Sequence, residues 1–232
     1  MDDVTRKLSR TIWIGVGLLI VILCLSFGLS LYEKSREQRR QANKAAPVLS
    51  EVKDFTLTNQ LGQVVTLADL RGHVWVADII FTSCAGPCPE MTKHMKELQD
   101  ALPASSNAKI VTLTTDPETD TPSVMMKYSE RFGADPKRWL FLTGEKKELM
   151  NLAMDGLKLS SEPVKPEERK NPNDLFIHTT TFVVVDKQGR LRGTTDEHGQ
   201  LRAVFQTTGE GVDFSKTQQE ILALIRQLER ER

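Results

Sequence analysis

The sequence predicts a mixed α/β sheet domain carried behind one membrane-spanning helix. Three observations predict it. An uncharged apolar run covers residues 11–32, strand-like and helical segments alternate after residue 50, and hairpin signals flank that alternation. The 232 residues suffice for one domain of ordinary size plus appendages.

Thr11 to Tyr32 reads TIWIGVGLLIVILCLSFGLSLY and carries no charge. About 20 apolar residues match the hydrocarbon thickness of a bilayer. Trp13 and Tyr32 fall near the two ends, where interfacial aromatics belong. A cleaved signal peptide is the rival reading, but the run exceeds an ordinary apolar signal core and no A-x-A-like site follows it. Cys24 does not read as a lipid-attachment site, because Leu23 precedes it where a small residue is needed and apolar residues continue beyond. The expectation is an uncleaved signal anchor: tail and anchor over 1–32, a juxtamembrane linker over 33–50, and the folded domain over 51–232. Arg6, Lys7 and Arg10 precede the run, while Lys34, Arg36, Arg39, Arg40 and Lys44 follow it. That count alone would leave the domain in the cytoplasm, yet long domains cross membranes regardless of flanking charge. The side has to come from the site chemistry.

Within the domain, Phe55–Leu67 reads as a hairpin around Gly62, and His73–Phe81 as a buried strand. Met91–Leu98 reads as a helix. Lys109–Thr115 is a second apolar strand ending at Asp116-Pro117, and Pro122 opens a helix stopped by Gly133. Trp139–Gly144 is extended, and Lys146–Leu157 is helical with apolar residues at 149, 152, 153 and 157. Ser160–Asp174 is a proline- and charge-rich loop. Thr179–Asp186 is a strand that turns at Lys187-Gln188-Gly189 into a partner around Leu191, and Asp213 or Ser215 caps a last amphipathic helix.

The chain carries 31 basic and 31 acidic residues and no formal net charge, so it lacks the basic excess of a nucleic-acid binder. Three cysteines are too few for a disulfide scaffold. Cys84 and Cys88 form a pair, in Phe81-Thr82-Ser83-Cys84-Ala85-Gly86-Pro87-Cys88-Pro89, where a strand hands over to a helix. Backbone N–H groups and the helix dipole favour a thiolate there, and Pro89 suits the first helical position. If helical geometry begins inside this turn, the sulfurs lie on one face about one turn apart, able to close a disulfide or to chelate a soft metal. Two sulfurs are an incomplete metal site, so a third ligand is expected. Among the histidines, His73 starts a strand, His94 is expected to point to solvent, and His198 lies in a polar turn. His178 differs, since it directly precedes the strand beginning at Thr179. Thioredoxin-like folds carry a proline in that loop, facing the active cysteines; here Thr179 stands there with His178 before it.

These residues resemble the SCO/SenC family, thioredoxin-like copper chaperones of cytochrome c oxidase assembly. The resemblance rests on the cysteine segment, on Thr115-Asp116-Pro117-Glu118-Thr119-Asp120-Thr121-Pro122, and on Phe132-Gly133 with Trp139 and Leu142-Thr143-Gly144. His178 with Val185-Asp186-Lys187-Gln188-Gly189 completes it. It implies a thioredoxin-like fold with an extra N-terminal hairpin, behind the single transmembrane helix. It implies Cys84, Cys88 and His178 as copper ligands, with Asp116 as an acidic residue near the site. Copper, as Cu(I) or Cu(II), would pass from an upstream donor to the binuclear (CuA) copper-site subunit of the oxidase. A thiol reductant would keep the cysteines open. The departures are the uncharged Ala85-Gly86-Pro87 between the cysteines and the threonine-rich 179–181.

A disulfide across this turn needs an oxidising compartment, so the expected domain is extracytoplasmic, on the periplasmic side of the membrane. The rival is a membrane-anchored thiol–disulfide oxidoreductase without metal, acting on the oxidase copper site or other extracytoplasmic proteins. Cys84 would attack and Cys88 resolve. His178 separates the two, being required only for metal.

Overall fold

In a computed structural model, residues 3–42, 46–163, 176–195 and 200–231 are described. The chain divides into two compact units, Met1–Ala45 and Ala46–Arg232.

The first unit is one helix, α1 (Asp3–Ala42). Its segment Gly15–Glu33 has mean hydropathy 2.3 and is long and apolar enough to cross a membrane. The helix runs on through much of the stretch that the sequence assigns to a linker.

The second unit is a sheet with helices on both faces. Its elements in order are β1 (Val48–Glu51), β2 (Thr56–Asn59), β3 (Val64–Thr66), the one-turn α2 (Leu67–Leu70), β4 (Trp75–Ile80) and α3 (Cys88–Ala101). There follow β5 (Lys109–Thr114), α4 (Pro122–Arg131), β6 (Trp139–Thr143), α5 (Lys146–Met150) and a π-helical segment (Asn151–Gly156). The remainder is β7 (Ser161–Pro163), β8 (Phe176–His178), β9 (Thr181–Val185), β10 (Arg190–Arg192), β11 (Thr194–Thr195), β12 (Leu201–Arg202), β13 (Val204–Gln206) and α6 (Phe214–Arg230). Among the described residues nine strands form one sheet in the order β1-β10-β9-β4-β5-β6-β2-β3, with β13 also on β9. The expected N-terminal hairpin is β2–β3, with Thr56 opposite Thr66. β1 lies in the stretch read as linker and pairs with β10. Four residues with two apolar side chains, paired far along the chain, carry no local strand signal.

β4 is central and buried at every residue. The period of two along a strand sends its side chains alternately to two cores. Val76 and Ile80 join Met91, Met95 and Leu98 of α3, Met125 and Tyr128 of α4, and the apolar stripe of α6. Trp75, Ala77 and Ile79 join Leu67 and Leu70 of α2 with Leu149, Leu152, Ala153 and Leu157. The helix expected over Lys146–Leu157 is α-helical only to Met150 and then widens, with Leu157 N–H donating to the Leu152 carbonyl at 3.0 Å. Asp213 caps α6, accepting from the Ser215 N–H at 3.0 Å, which decides between the two expected caps.

The pairing determines which loops meet. β4 and β5 are parallel, with Ile80 opposite Thr114. β9 is antiparallel to β4, with Ala77 opposite Val183. The loop after β4, the loop after β5 and the chain entering β9 therefore share one end of the sheet.

Candidate metal centre

Cys84 lies in the loop between β4 and α3, and Cys88 is the first residue of α3. The Cys84 N–H donates to the Phe81 carbonyl at 3.2 Å, so the chain turns directly after the buried strand. Pro87 takes helical dihedrals (φ −75°, ψ −19°) without a side-chain cap. The helix thus starts at Cys88, which puts Pro89 at the second helical position rather than the first. Proline suits both, since neither N–H has an intrahelical partner.

The two sulfurs sit in unlike surroundings. Cys84 is half-buried between the exposed Ser83 and Ala85, and its Sγ accepts from the Gly86 N–H at 3.3 Å. Cys88 is fully buried against Met91 and Met95. Both carry thiols rather than a disulfide. Burial pushes the Cys88 thiol far up, and a hydrogen bond with Cys84 and the Asp78 charge push the same way. The helix start was expected to favour a thiolate; at Cys88 desolvation outweighs the dipole. Cys84 precedes the helix, so the one-turn spacing of a helix does not set the distance between the two sulfurs.

Asp116 follows β5 and is 9% exposed. Its N–H donates to Thr114 Oγ1 at 3.0 Å, and its carbonyl accepts from the Asp120 N–H at 2.8 Å. His178 is the last residue of β8, opposite Ser161, and the next N–H, of Thr179, donates to the Ser160 carbonyl at 3.0 Å. The His178 side chain lies outside the described residues, as do His198 and most of the loop expected over Ser160–Asp174. Among the described residues no group of three histidine, cysteine or acidic side chains surrounds a metal position. His73 is structural, its Nδ1 within 2.8 Å of the Asn107 carbonyl. His94 does not point to solvent: it stacks on Phe214 with ring centroids 3.9 Å apart and planes 9° from parallel. The partner ring belongs to α6, far along the chain, so local helix periodicity did not reveal it.

Two buried aspartates were missed. Asp78 is fully buried in β4, on the face toward α3, and its Oδ1 accepts from Thr112 Oγ1 at 2.7 Å. Thr112 in turn accepts from Trp139 Nε1 at 2.9 Å. The signal was a lone charge inside an otherwise apolar strand. Asp120 is also fully buried. It accepts from the Thr82 N–H at 3.1 Å, from the Thr82 hydroxyl, and from Thr114 Oγ1 at 2.5 Å. Burial raises the Asp120 carboxyl above its ordinary value, against the lowering effect of those donors. Behind Cys88, Thr92 Oγ1 donates to the Cys88 carbonyl at 2.8 Å and meets the Tyr128 hydroxyl at 2.9 Å. A separate cleft of about 400 Å³, between Glu51–Phe55 and Glu145–Gly156, includes none of these residues.

Chemically, this is a half-exposed thiol hydrogen-bonded to a buried one, at the end of a sheet where an acidic loop and a histidine-bearing segment converge. A family model described as SCO1/SenC matches residues 43–212. The SCO1 protein homolog of Bacillus subtilis is 33% identical over 177 residues, covering 75% of this chain and 82% of that protein. A solved structure of BsSco, described as a member of the Sco family of cytochrome c oxidase assembly proteins with a disulfide switch, is 30% identical with a TM-score of 0.62. It covers 82% of this chain and 98% of the other. Bradyrhizobium japonicum ScoI, solved with copper bound, shares the fold at a TM-score of 0.59 and 21% identity, over 77% of this chain and 99% of that one.

Proposed function

The chain belongs to the SCO1/SenC family, and from that premise we propose that it is a membrane-anchored copper chaperone serving cytochrome c oxidase assembly. It would hold copper as cargo for the binuclear CuA site of the oxidase. The observation that carries the reading is the cysteine pair at the start of α3, at the sheet end where the strand after His178 begins.

The donor set fits the cargo. Two thiolates and an imidazole are the soft and borderline ligands that Cu(I) selects, and an additional ligand suits Cu(II). Cys84, Cys88 and His178 are the proposed ligands, with Asp116 beside them in the loop after β5. The half-exposed Cys84 is where an incoming ligand from the recipient subunit can attack; the buried Cys88 keeps its sulfur inside the protein. A disulfide between them removes both thiolates, so redox state gates loading, and an upstream copper donor and a thiol reductant belong to the cycle. The related BsSco is described as having a disulfide switch. A domain whose disulfide must both form and open belongs on an oxidising side of a membrane, hence the extracytoplasmic assignment, periplasmic in a bacterium with two membranes. The apolar segment Gly15–Glu33 would be the anchor.

One observation favours a second reading. A half-exposed cysteine before a buried one is also the arrangement of an attacking and a resolving thiol, as in a thiol–disulfide oxidoreductase acting on the copper-site cysteines of the oxidase. His178 separates the two readings. Reduced full-length protein in detergent, titrated with Cu(I) against a competing chelator, is expected to bind one ion. His178→Ala is expected to weaken binding at least about ten-fold, since even outer-shell changes cost that much. Equal affinity in the two proteins would reject the ligand assignment and leave the oxidoreductase.

A further inference from the structure

We propose that Asp120 is the positioning residue of the cysteine turn. Accepting from Thr82 on the turn and from Thr114 at the end of β5, it fixes where Cys84 stands relative to Cys88, and so sets both the dithiol–disulfide equilibrium and the affinity for a thiolate-bound metal.

Of the two cysteines Cys84 is the less enclosed. Cys88 is fully buried at the start of α3, in the core with Met91 and Met95. Cys84 stands between exposed Ser83, Ala85 and Gly86. On its β4 side the turn is held by the Cys84 N–H on the Phe81 carbonyl and by Thr82, and Thr82 gives two hydrogen bonds to Asp120: its N–H to Oδ2 at 3.1 Å, and its hydroxyl to Oδ1. Thr114 Oγ1 gives a third, to Oδ2. Asp120 is itself fixed, since its N–H donates to the Asp116 carbonyl at 2.8 Å. Thr114 Oγ1 also accepts from the Asp116 N–H. One buried carboxylate therefore locks the cysteine turn and the Asp116-Pro117 loop to each other.

The lock needs a carboxylate. Three donors converge on two acceptor oxygens. An amide of the same shape replaces one oxygen with an NH₂ group that cannot accept, so Asp120→Asn loses the charge-assisted bonds and forces a threonine hydroxyl to reverse its direction while keeping the volume. Freed from Thr82, Cys84 can swing onto Cys88 more readily. Oxidation joins the two sulfurs as both S–H bonds break; a small disulfide takes the two electrons and two protons and leaves as two thiols.

The metal half of the proposal rests on the copper reading, and the redox half does not. In full-length protein in detergent, three quantities are measured: the dithiol–disulfide equilibrium in glutathione buffers, Cu(I) affinity against a chelator, and thermal unfolding. Asp120→Asn is expected to shift the equilibrium constant at least about ten-fold toward the disulfide, and to weaken Cu(I) binding by about 10- to 100-fold. Thr82→Ser, which keeps both donors, should stay at wild-type values. Thr82→Val, which removes only the hydroxyl, should shift in the direction of Asp120→Asn, and it carries the test if Asp120→Asn does not fold. Arg192→Ala, destabilised far from the site, should unfold earlier with an unmoved equilibrium. A folded Asp120→Asn that unfolds earlier but keeps both the wild-type equilibrium and the wild-type Cu(I) affinity would reduce Asp120 to a packing role and overturn the proposal. If the wild type binds no Cu(I), the copper reading falls, and the glutathione equilibrium alone decides this one.

Discussion

At the residue scale, burial rather than spacing sets the character of the site. Cys84 and Cys88 look alike in sequence, yet one is half-exposed and the other is sealed in the core, where desolvation opposes its thiolate. An alkylating reagent at neutral pH is therefore expected to modify Cys84 in the folded protein. In a Cys84→Ser variant, Cys88 should react only at the rate of unfolding. Mass spectrometry of partly alkylated protein reads this directly, and prompt labelling of Cys88 in the folded variant would contradict the burial argument. The cysteine pair was legible because its spacing is local. Asp120 was legible only as part of a family motif, because Thr82 lies on a different loop and only the parallel pairing of β4 with β5 brings them together.

At the element scale, the start of the folded unit is held by a buried ion cluster. Arg192 of β10 donates from Nε to the Ala46 carbonyl at 3.0 Å and pairs with Asp186 at 2.6 Å and Glu231 at 2.9 Å. The Arg192 and Asp186 side chains are 3% and 2% exposed. Removing Arg192 takes the donor from the Ala46 carbonyl and one of two cations from Asp186, which keeps Arg190. Arg192→Ala is thus expected to cost about 1–3 kcal/mol, read from denaturant unfolding. Burial works to raise the Asp186 carboxyl, but hydrogen bonds from Arg190 and Arg192 outweigh it and hold the group below its ordinary 3.8. A depressed carboxyl stabilises the fold above its unfolded value, and that stability is lost as pH falls below about 3.8 through the folded one. Wild type should lose stability in that acid range, and Asp186→Asn should lack that component; parallel acid slopes would refute it. The regular elements were legible from period and caps. The π-helical segment was not: the Gly156 carbonyl accepts from Ser50 Oγ at 2.7 Å, a contact across more than a hundred residues.

At the scale of the whole molecule, the chain is a long apolar-centred helix and a separate folded unit, and each accounts for its own residues. The second unit holds both cores, so residues 46–232 are expected to fold without α1. The excised unit should stay in the aqueous phase on detergent partition and unfold within a few degrees of the full chain. An insoluble fragment, or one without a cooperative transition, would mean that α1 supplies part of the fold. Copper at about 100 times its dissociation constant should stabilise the same fragment by about 2.7 kcal/mol if only the folded state binds it.

By itself the sequence determined what depends on neighbours along the chain: a helix long enough to cross a membrane, the strand–helix alternation, a cysteine pair at a handover from strand to helix, and a motif set that resembles one family. Only the tertiary structure decided which cysteine is sealed and which is open, that His94 stacks on Phe214, and that Asp120 ties two loops together. Those facts depend on desolvation and on contacts between segments far apart in the chain. Residue type and period carry neither. They arise when parallel β4 and β5 and antiparallel β9 bring their ends to one side of the sheet.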